Sequence, residues 1–224
     1  MKLSSLIKSQ YTKTQEFWNT LTHLIGALFA LAAAITFIVF NIKNNIPFSL
    51  TYPFYIYIFT MFVVYFVSTF YHATPLNSKI RAVSRIIDHS DIFLFVVGTY
   101  TPIALLAISN KDITTGLLIV EWSLAFVGVL ITALWFNHKS VSVIGYIIYL
   151  IAGWALIFIY PFNQCLPGNI FLFTLLGGVV YTVGAIIYAI GKKIIWFHTL
   201  FHIFILIGSA LQFIAIWMIF SSLF

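Results

Sequence analysis

The stretch FWNTLTHLIGALFALAAAITFIVFNI, residues 17–42, holds no Asp, Glu, Lys or Arg, and its reading decides the fold. A helix of about 20 predominantly apolar residues crosses the roughly 30 Å of bilayer hydrocarbon, so this run reads as a membrane span. Working outward, Asn44–Ser78, Ile92–Asn110, Ile113–Asn137 (interrupted by Glu121) and Ile194–Phe224 are runs of the same kind. Ser140–Gly191 gives 52 residues without a formal charge, enough for two spans. The segment PFNQCLPG at 161–168 divides it, because paired prolines, Asn and Gly mark a turn. The expected fold is all-α: a polytopic membrane protein, a bundle of seven transmembrane helices near 17–41, 49–72, 84–108, 114–136, 140–160, 169–190 and 194–222.

Composition agrees. Of the 224 residues 62% are hydrophobic and 7% charged, against about 25% charged in a soluble domain, so this chain could not cover its own surface in water. The 11 Lys and Arg are scattered and form no basic face, which excludes a nucleic-acid partner. A single cysteine, Cys165, expected as a lone thiol in an outer loop, excludes a disulfide scaffold. Met1–Lys13 lacks a small-residue cleavage site and reads as a retained tail. The organisation is thus a basic tail, 1–15, and one seven-helix domain, 16–224.

Basic residues fall unevenly on alternate sides. Lys2, Lys8, Lys13, Lys79, Arg81, Arg85, Lys139, Lys192 and Lys193 share one side, while Lys43 and Lys111 take the other. Nine against two places the N-terminus in the cytoplasm and the C-terminus outside. No internal repeat supports an inverted-repeat transporter. Gly26, Ala30 and Ala34 form a small-residue row for close helix approach, and Pro102 is expected to kink the third helix.

Ionisable groups at mid-membrane cost at least about 2.5–3.5 kcal/mol each, so their default reading is functional. Glu16, Asn19 and His23 share one face of the first helix through spacings of three and four. Ser68 and His72 end the second, Asp88 and Asp91 begin the third, and His198 and His202 begin the seventh. The alternating topology puts all four groups in the cytoplasmic leaflet. Two His at i, i+4 can bind one ion from one helix, and a third nitrogen from His72 would leave an open fourth position, as in catalytic zinc sites. Asp88 could ligate the metal or hold its water as a general base. Hydrogen-bonded interhelical histidines remain the alternative on spacing alone.

Three ordered motifs carry a resemblance: Glu16-Phe-Trp-Asn19-Thr-Leu-Thr22-His23-Leu-Ile-Gly26; Ser68-Thr-Phe-Tyr71-His72 running on to Arg85-Ile-Ile-Asp88-His89-Ser90 and Gly98-Thr-Tyr-Thr-Pro102; and His198-Thr-Leu-Phe-His202 followed by Gly208-Ser209. They are similar to those of the PAQR (progestin and adipoQ receptor) family, and more closely of its bacterial hemolysin III branch. The resemblance covers nearly the whole chain. It implies Zn2+ held by His72, His198 and His202, with Asp88 as the acidic partner acting through a water and Ser68 close to the metal. It also implies a bacterial inner-membrane location and, by likeness to alkaline ceramidases, hydrolysis of a membrane lipid amide or ester. The long N-terminal extension of the animal receptors has no counterpart here.

Glu16, Asn19 and His23 would orient the ligands or hydrogen-bond between helices. Arg85 is expected to pair with Asp91 or His89 at the interface. Glu121 is expected to be an interfacial carboxylate reaching water or Lys111, His138 to sit in a solvated turn, and the Trp and Tyr residues to form interfacial belts. Membrane lipids are the expected surroundings and substrate. Two alternatives to the hydrolase stand: a cytolytic, pore-forming protein, disfavoured because no long amphipathic segment is present, and a metal-stapled sensor of membrane state without turnover. A retinal protein would need a lysine between Ile194 and Phe224, and there is none.

Overall fold

The computed structural model describes residues 11–159, 166–191, 194 and 196–224. Lys2, Lys8, the turn residues from Pro161 to Cys165, Lys192 and Lys193 lie outside the described residues. Seven helices are seen among the described residues: α1 Lys13–Asn44, α2 Phe48–Ala73, α3 Lys79–Pro102, α4 Lys111–Trp135, α5 Lys139–Ile159, α6 Gly168–Ile190 and α7 Phe197–Ser221. Six of them (α1, α2, α3 with its continuation to Ala107, α4, α6 and α7) are long and apolar enough to cross a membrane. The described apolar stretch of α5 is the shorter Val143–Ala155.

Helices α1 and α3 begin four to five residues earlier than hydropathy implied, because their caps lie there. Thr12 and Gln15 form a reciprocal capping box at the start of α1, and the Ser78 hydroxyl accepts from the Arg81 N–H at the start of α3. Asn110 caps α4 in the same way. Pro102 closes the α-helical part of α3, which continues as a π-helical turn, Ile103–Ala107. Proline lacks an N–H and its ring crowds the preceding turn, so the hydrogen-bond register shifts there rather than simply bending.

Side-chain pairings give the topology. Across α1 and α2, Gly26 meets Tyr65 while Phe37 meets Phe54, so the helices run antiparallel. Gly98 meets Thr60 across α2 and α3, and Gly128 meets Phe93 across α3 and α4. Gly184 meets Phe204 while Gly177 meets Gln212, so α6 and α7 are antiparallel. Helices α1 and α7 run parallel: Thr22 meets His202, Phe29 meets Phe213 and Phe37 meets Phe220. Short connections reverse the chain between α2, α3 and α4, and the pairs Phe93–Tyr149 and Tyr100–Gly153 set α5 parallel to α3, so the starts of α1, α3, α5 and α7 and the ends of α2, α4 and α6 share one end of the bundle.

The interior inverts a soluble protein. Phe17, Ile35, Ile42, Phe59, Phe126 and Ile190 are exposed on the outside, while Glu16, Asn19, His72, Arg81, Asp91 and Glu121 are buried. An apolar exterior around polar groups set within a hydrophobic core is what lipid solvation favours. The small-residue row of α1 runs Gly26, Ala30, Ala33, with Ala34 half-buried beside it. A Cβ added at Gly26 would lie 2.2 Å from the Tyr65 ring. That close approach lets Tyr65 reach α7, where its hydroxyl donates to Ser209 Oγ (2.6 Å).

Candidate metal centre

His72 lies in the last turn of α2, and His198 and His202 in the first turns of α7. Since α1 runs beside both α2 and α7, these histidines meet at the shared end of the bundle. All three are buried, and their ligand atoms lie within 4.8 Å of one another. His198 Nε2 stands 3.3 Å from His72 Nε2 and 3.0 Å from His202 Nε2.

The outer nitrogens fix how these rings present themselves. His72 Nδ1 donates to Glu16 Oε2 at 2.7 Å, and His202 Nδ1 faces Thr22 Oγ1 at 3.3 Å and the Asn19 carbonyl at 3.4 Å. A proton on each Nδ1 leaves the Nε2 atoms of His72 and His202 as acceptors. His198 Nε2 carries one proton at most, so it can satisfy one neighbour and must face the other lone pair to lone pair. A cation at the centre relieves that repulsion. Nitrogens bound to a tetrahedral ion at about 2.0–2.1 Å stand roughly 3.3 Å apart, close to the observed spacing. The residues therefore fit a metal ion held by three imidazole nitrogens, each Nδ1 oriented by an acceptor where one is present.

Glu16 carries a second interaction. Its Oε1 accepts from Arg81 Nη2, and Arg81 Nη1 donates to the carbonyls of Tyr71 (3.0 Å) and Thr74 (2.9 Å). Arg81 is only 2% exposed. The sequence counts it with the connection charges, but Ser78 caps α3 early and turns Arg81 inward. Asn19 Oδ1 accepts from Thr199 Oγ1 at 2.6 Å, tying α1 to α7 beside the site. His23 is buried with both ring nitrogens unpartnered among the described residues, its ring 3.8 Å from that of His202. Tyr11, which the sequence gave no reason to select, stacks on His198 with ring centres 4.6 Å apart. Burial raises the pKa of its hydroxyl, keeping it a neutral donor.

A cavity of about 1020 Å³ opens beside the histidines, with Tyr11, His23, Ser68, Asp88, His198 and His202 on its wall. It continues along the bundle to Ile103, Thr174 and Gln212. Asp88 does not join the three-nitrogen cluster; it faces the cavity beside Ser68, with His89 Nδ1 at 3.4 Å. A carboxylate set back in this way can reach the cluster through a water.

Three expectations are corrected. Arg85 forms an ion pair with neither Asp91 nor His89 among the described residues: its guanidinium carbon lies 5.6 Å from the Phe136 ring centre, and His89 Nδ1 faces the Arg85 backbone carbonyl at 2.8 Å and Asp88 Oδ2 at 3.4 Å. Six residues separate Arg85 from Asp91, which turns them to different faces of α3; Asp91 is 3% exposed with neither carboxylate oxygen hydrogen-bonded among the described residues. Glu121 is not interfacial. It is 0% exposed, inside the bundle, with both oxygens unpartnered among the described residues. It stands ten residues, about 15 Å, along α4 from Lys111, beyond that side chain's reach. His138 closes a turn after α4, as expected, but also borders the cavity.

Comparison with known proteins adds a lineage. The model of the family described as haemolysin-III related matches residues 11–213. Hemolysin-3 of Bacillus cereus is 34% identical over 209 residues, 93% of this chain and 92% of that protein. The Hemolysin-3 homolog of Bacillus subtilis (strain 168) is 34% identical over 207 residues, 92% of this chain and 94% of that protein.

Proposed function

Because this chain belongs to the haemolysin-III related family and is a multi-pass membrane protein, we propose that it is a zinc-dependent hydrolase of a membrane lipid amide or ester. In this reading α5 also spans, giving one seven-helix domain over residues 16–224 behind the basic tail 1–15. The uneven distribution of basic residues along the sequence supports a cytoplasmic N-terminus, with the site in the cytoplasmic leaflet of the bacterial inner membrane. The convergence of three imidazole nitrogens, two of them backed by acceptors, carries the proposal. Nitrogen ligands without thiolates suit zinc.

Zinc, when bound, would polarise the lipid carbonyl and acidify a water. The chain's own residues do the rest. His72, His198 and His202 hold the ion, while Glu16, Asn19 and Thr22 hold two of the imidazoles in orientation. Asp88 takes the proton of the attacking water and returns it to the departing nitrogen or oxygen. Ser68, on the same cavity wall, helps hold the substrate or the water. The water oxygen bonds to the acyl carbon and the carbon–nitrogen or carbon–oxygen bond breaks, giving a fatty acid and the free head group.

The test is metal content. Detergent-purified protein should carry about one zinc per chain by mass spectrometry, and a His198→Ala, His202→Ala double variant none. Absence of metal from both, with the helical fold intact, overturns the proposal. The relatives' printed name favours one rival, lysis. Dye leakage from vesicles by metal-stripped protein would support it, since a pore needs no metal.

A further inference from the structure

Arg85 takes no part in the chemistry above, yet it faces the same cavity one turn before Asp88. Its surroundings differ from those of Arg81, one turn earlier. Arg81 is neutralised by Glu16 and donates to the carbonyls of Tyr71 and Thr74. Arg85 has no carboxylate at ion-pair distance among the described residues, and its Nε is buried without a hydrogen-bond partner. The guanidinium carbon lies 5.6 Å from the Phe136 ring centre, and Tyr11, Tyr188 and His198 line the same cavity. Asp88, the acidic residue on the cavity wall among the described residues, lies 3.4 Å from His89 Nδ1 and forms no ion pair with Arg85. His89 and His138 border the same region and add no negative charge.

Arg85 is half-buried, with its Nε unpartnered among the described residues and no carboxylate at ion-pair distance, so its guanidinium is open to an anionic ligand in the cavity. Its planar fork suits carboxylate and phosphate oxygens. We propose that the cavity takes an amphiphile with a short anionic head, received by Arg85, with the acyl chain running towards Ile103 and Gln212. Three residues of helix, about 4.5 Å of rise, separate Arg85 from Asp88. The anion must therefore lie only a few bonds from the carbonyl that is cut. An N-acyl amino acid has that form; an acyl amide with a neutral head lacks the partner that Arg85 requires. This inference rests on the hydrolase reading for the position of the carbonyl, but the head-group preference itself needs neither metal nor turnover.

The experiment uses a matched pair, radiolabelled N-oleoylglycine and N-oleoylethanolamine, whose heads are similar in size and differ in charge. Equilibrium binding to the full chain in uncharged detergent is measured with zinc present and after stripping. The intact protein should prefer the glycine conjugate about tenfold or more, as expected for a charge-assisted pair. Arg85→Gln should lose that preference while holding the neutral conjugate as before, and Arg85→Lys should keep part of it. Equal binding of both heads by the intact protein, or a preference that survives in Arg85→Gln, overturns the inference. If Arg85→Gln does not fold, the intact protein and Arg85→Lys decide. An Arg85-dependent preference in a protein without metal or turnover would keep this inference and remove the hydrolase. Turnover indifferent to head charge would do the reverse.

Discussion

Glu16→Gln separates a metal-orienting role from a structural one. The carboxylate has two buried partners, His72 Nδ1 at 2.7 Å and Arg81. Glutamine keeps the size and one carbonyl oxygen but removes the charge. For folding, Arg81 retains the carbonyls of Tyr71 and Thr74 and loses its only ion-pair partner among the described residues. Breaking a buried pair costs about 3–5 kcal/mol, and the surviving bonds place this case at about 3. For the metal, His72 exchanges an anionic acceptor for a neutral one or none. Loss of such an outer partner weakens metal binding about 10–100-fold, or roughly 1.4–2.8 kcal/mol.

The assay is zinc affinity by chelator competition at fixed pH, with thermal unfolding of metal-stripped protein in parallel. Both should fall. Thr22→Val, which removes the hydroxyl 3.3 Å from His202 Nδ1, should weaken zinc less than Glu16→Gln, because the Asn19 carbonyl still faces that nitrogen and a neutral contact is weaker than a charged one. Zinc affinity unchanged within about twofold in Glu16→Gln, against the 10–100-fold expected, together with lowered stability, would refute the orienting role. Glu16 would then serve only to neutralise Arg81.

Asp88→Asn should retain zinc and lose turnover by about 10²–10⁴-fold, read by fatty-acid release; undiminished turnover would remove the general base. Gly26→Ala brings a Cβ within 2.2 Å of the Tyr65 ring, so thermal stability should fall by about 1–3 kcal/mol, and an unchanged Tm would show that α1 and α2 can part freely. Glu121→Leu removes a buried carboxyl whose oxygens have no partner among the described residues, and should stabilise the bundle by about 1–3 kcal/mol; a fall in Tm would mean the carboxyl is held by a group beyond those residues.

The helices and the three histidines were legible because each rests on a short-range rule. Hydropathy runs give spans, a spacing of four puts His198 and His202 on one face, and alternating topology brings His72 to the same depth. Glu16, Asn19 and His23 were grouped by the same spacing. Arg81 was not legible as an interior residue: a charge in the first turn of a helix reads alike whether it meets water or a neighbouring carboxylate. The available signal was Glu16, an acid at the same depth needing a partner. Tyr11 lies outside every periodic segment, so only the packing of α7 against the start of α1 could reveal it. Glu121 was the avoidable miss, since its distance along α4 from Lys111 follows from helical rise alone.

The polar interior follows one electrostatic logic. Glu16 and Arg81 cancel within hydrogen-bond distance, and the carboxylate that neutralises the guanidinium also holds His72. The facing imidazoles call for a positive charge, which the proposed ion supplies. Asp88 lies on the cavity wall, 3.4 Å from His89 Nδ1. On the same wall the guanidinium of Arg85 has no carboxylate at ion-pair distance among the described residues. A site composed this way is most nearly neutral when its ligand brings both a carbonyl for the metal and an anion for the arginine. That is why the head-group charge of the bound lipid, rather than its chain, is where the selectivity of this cavity should reside.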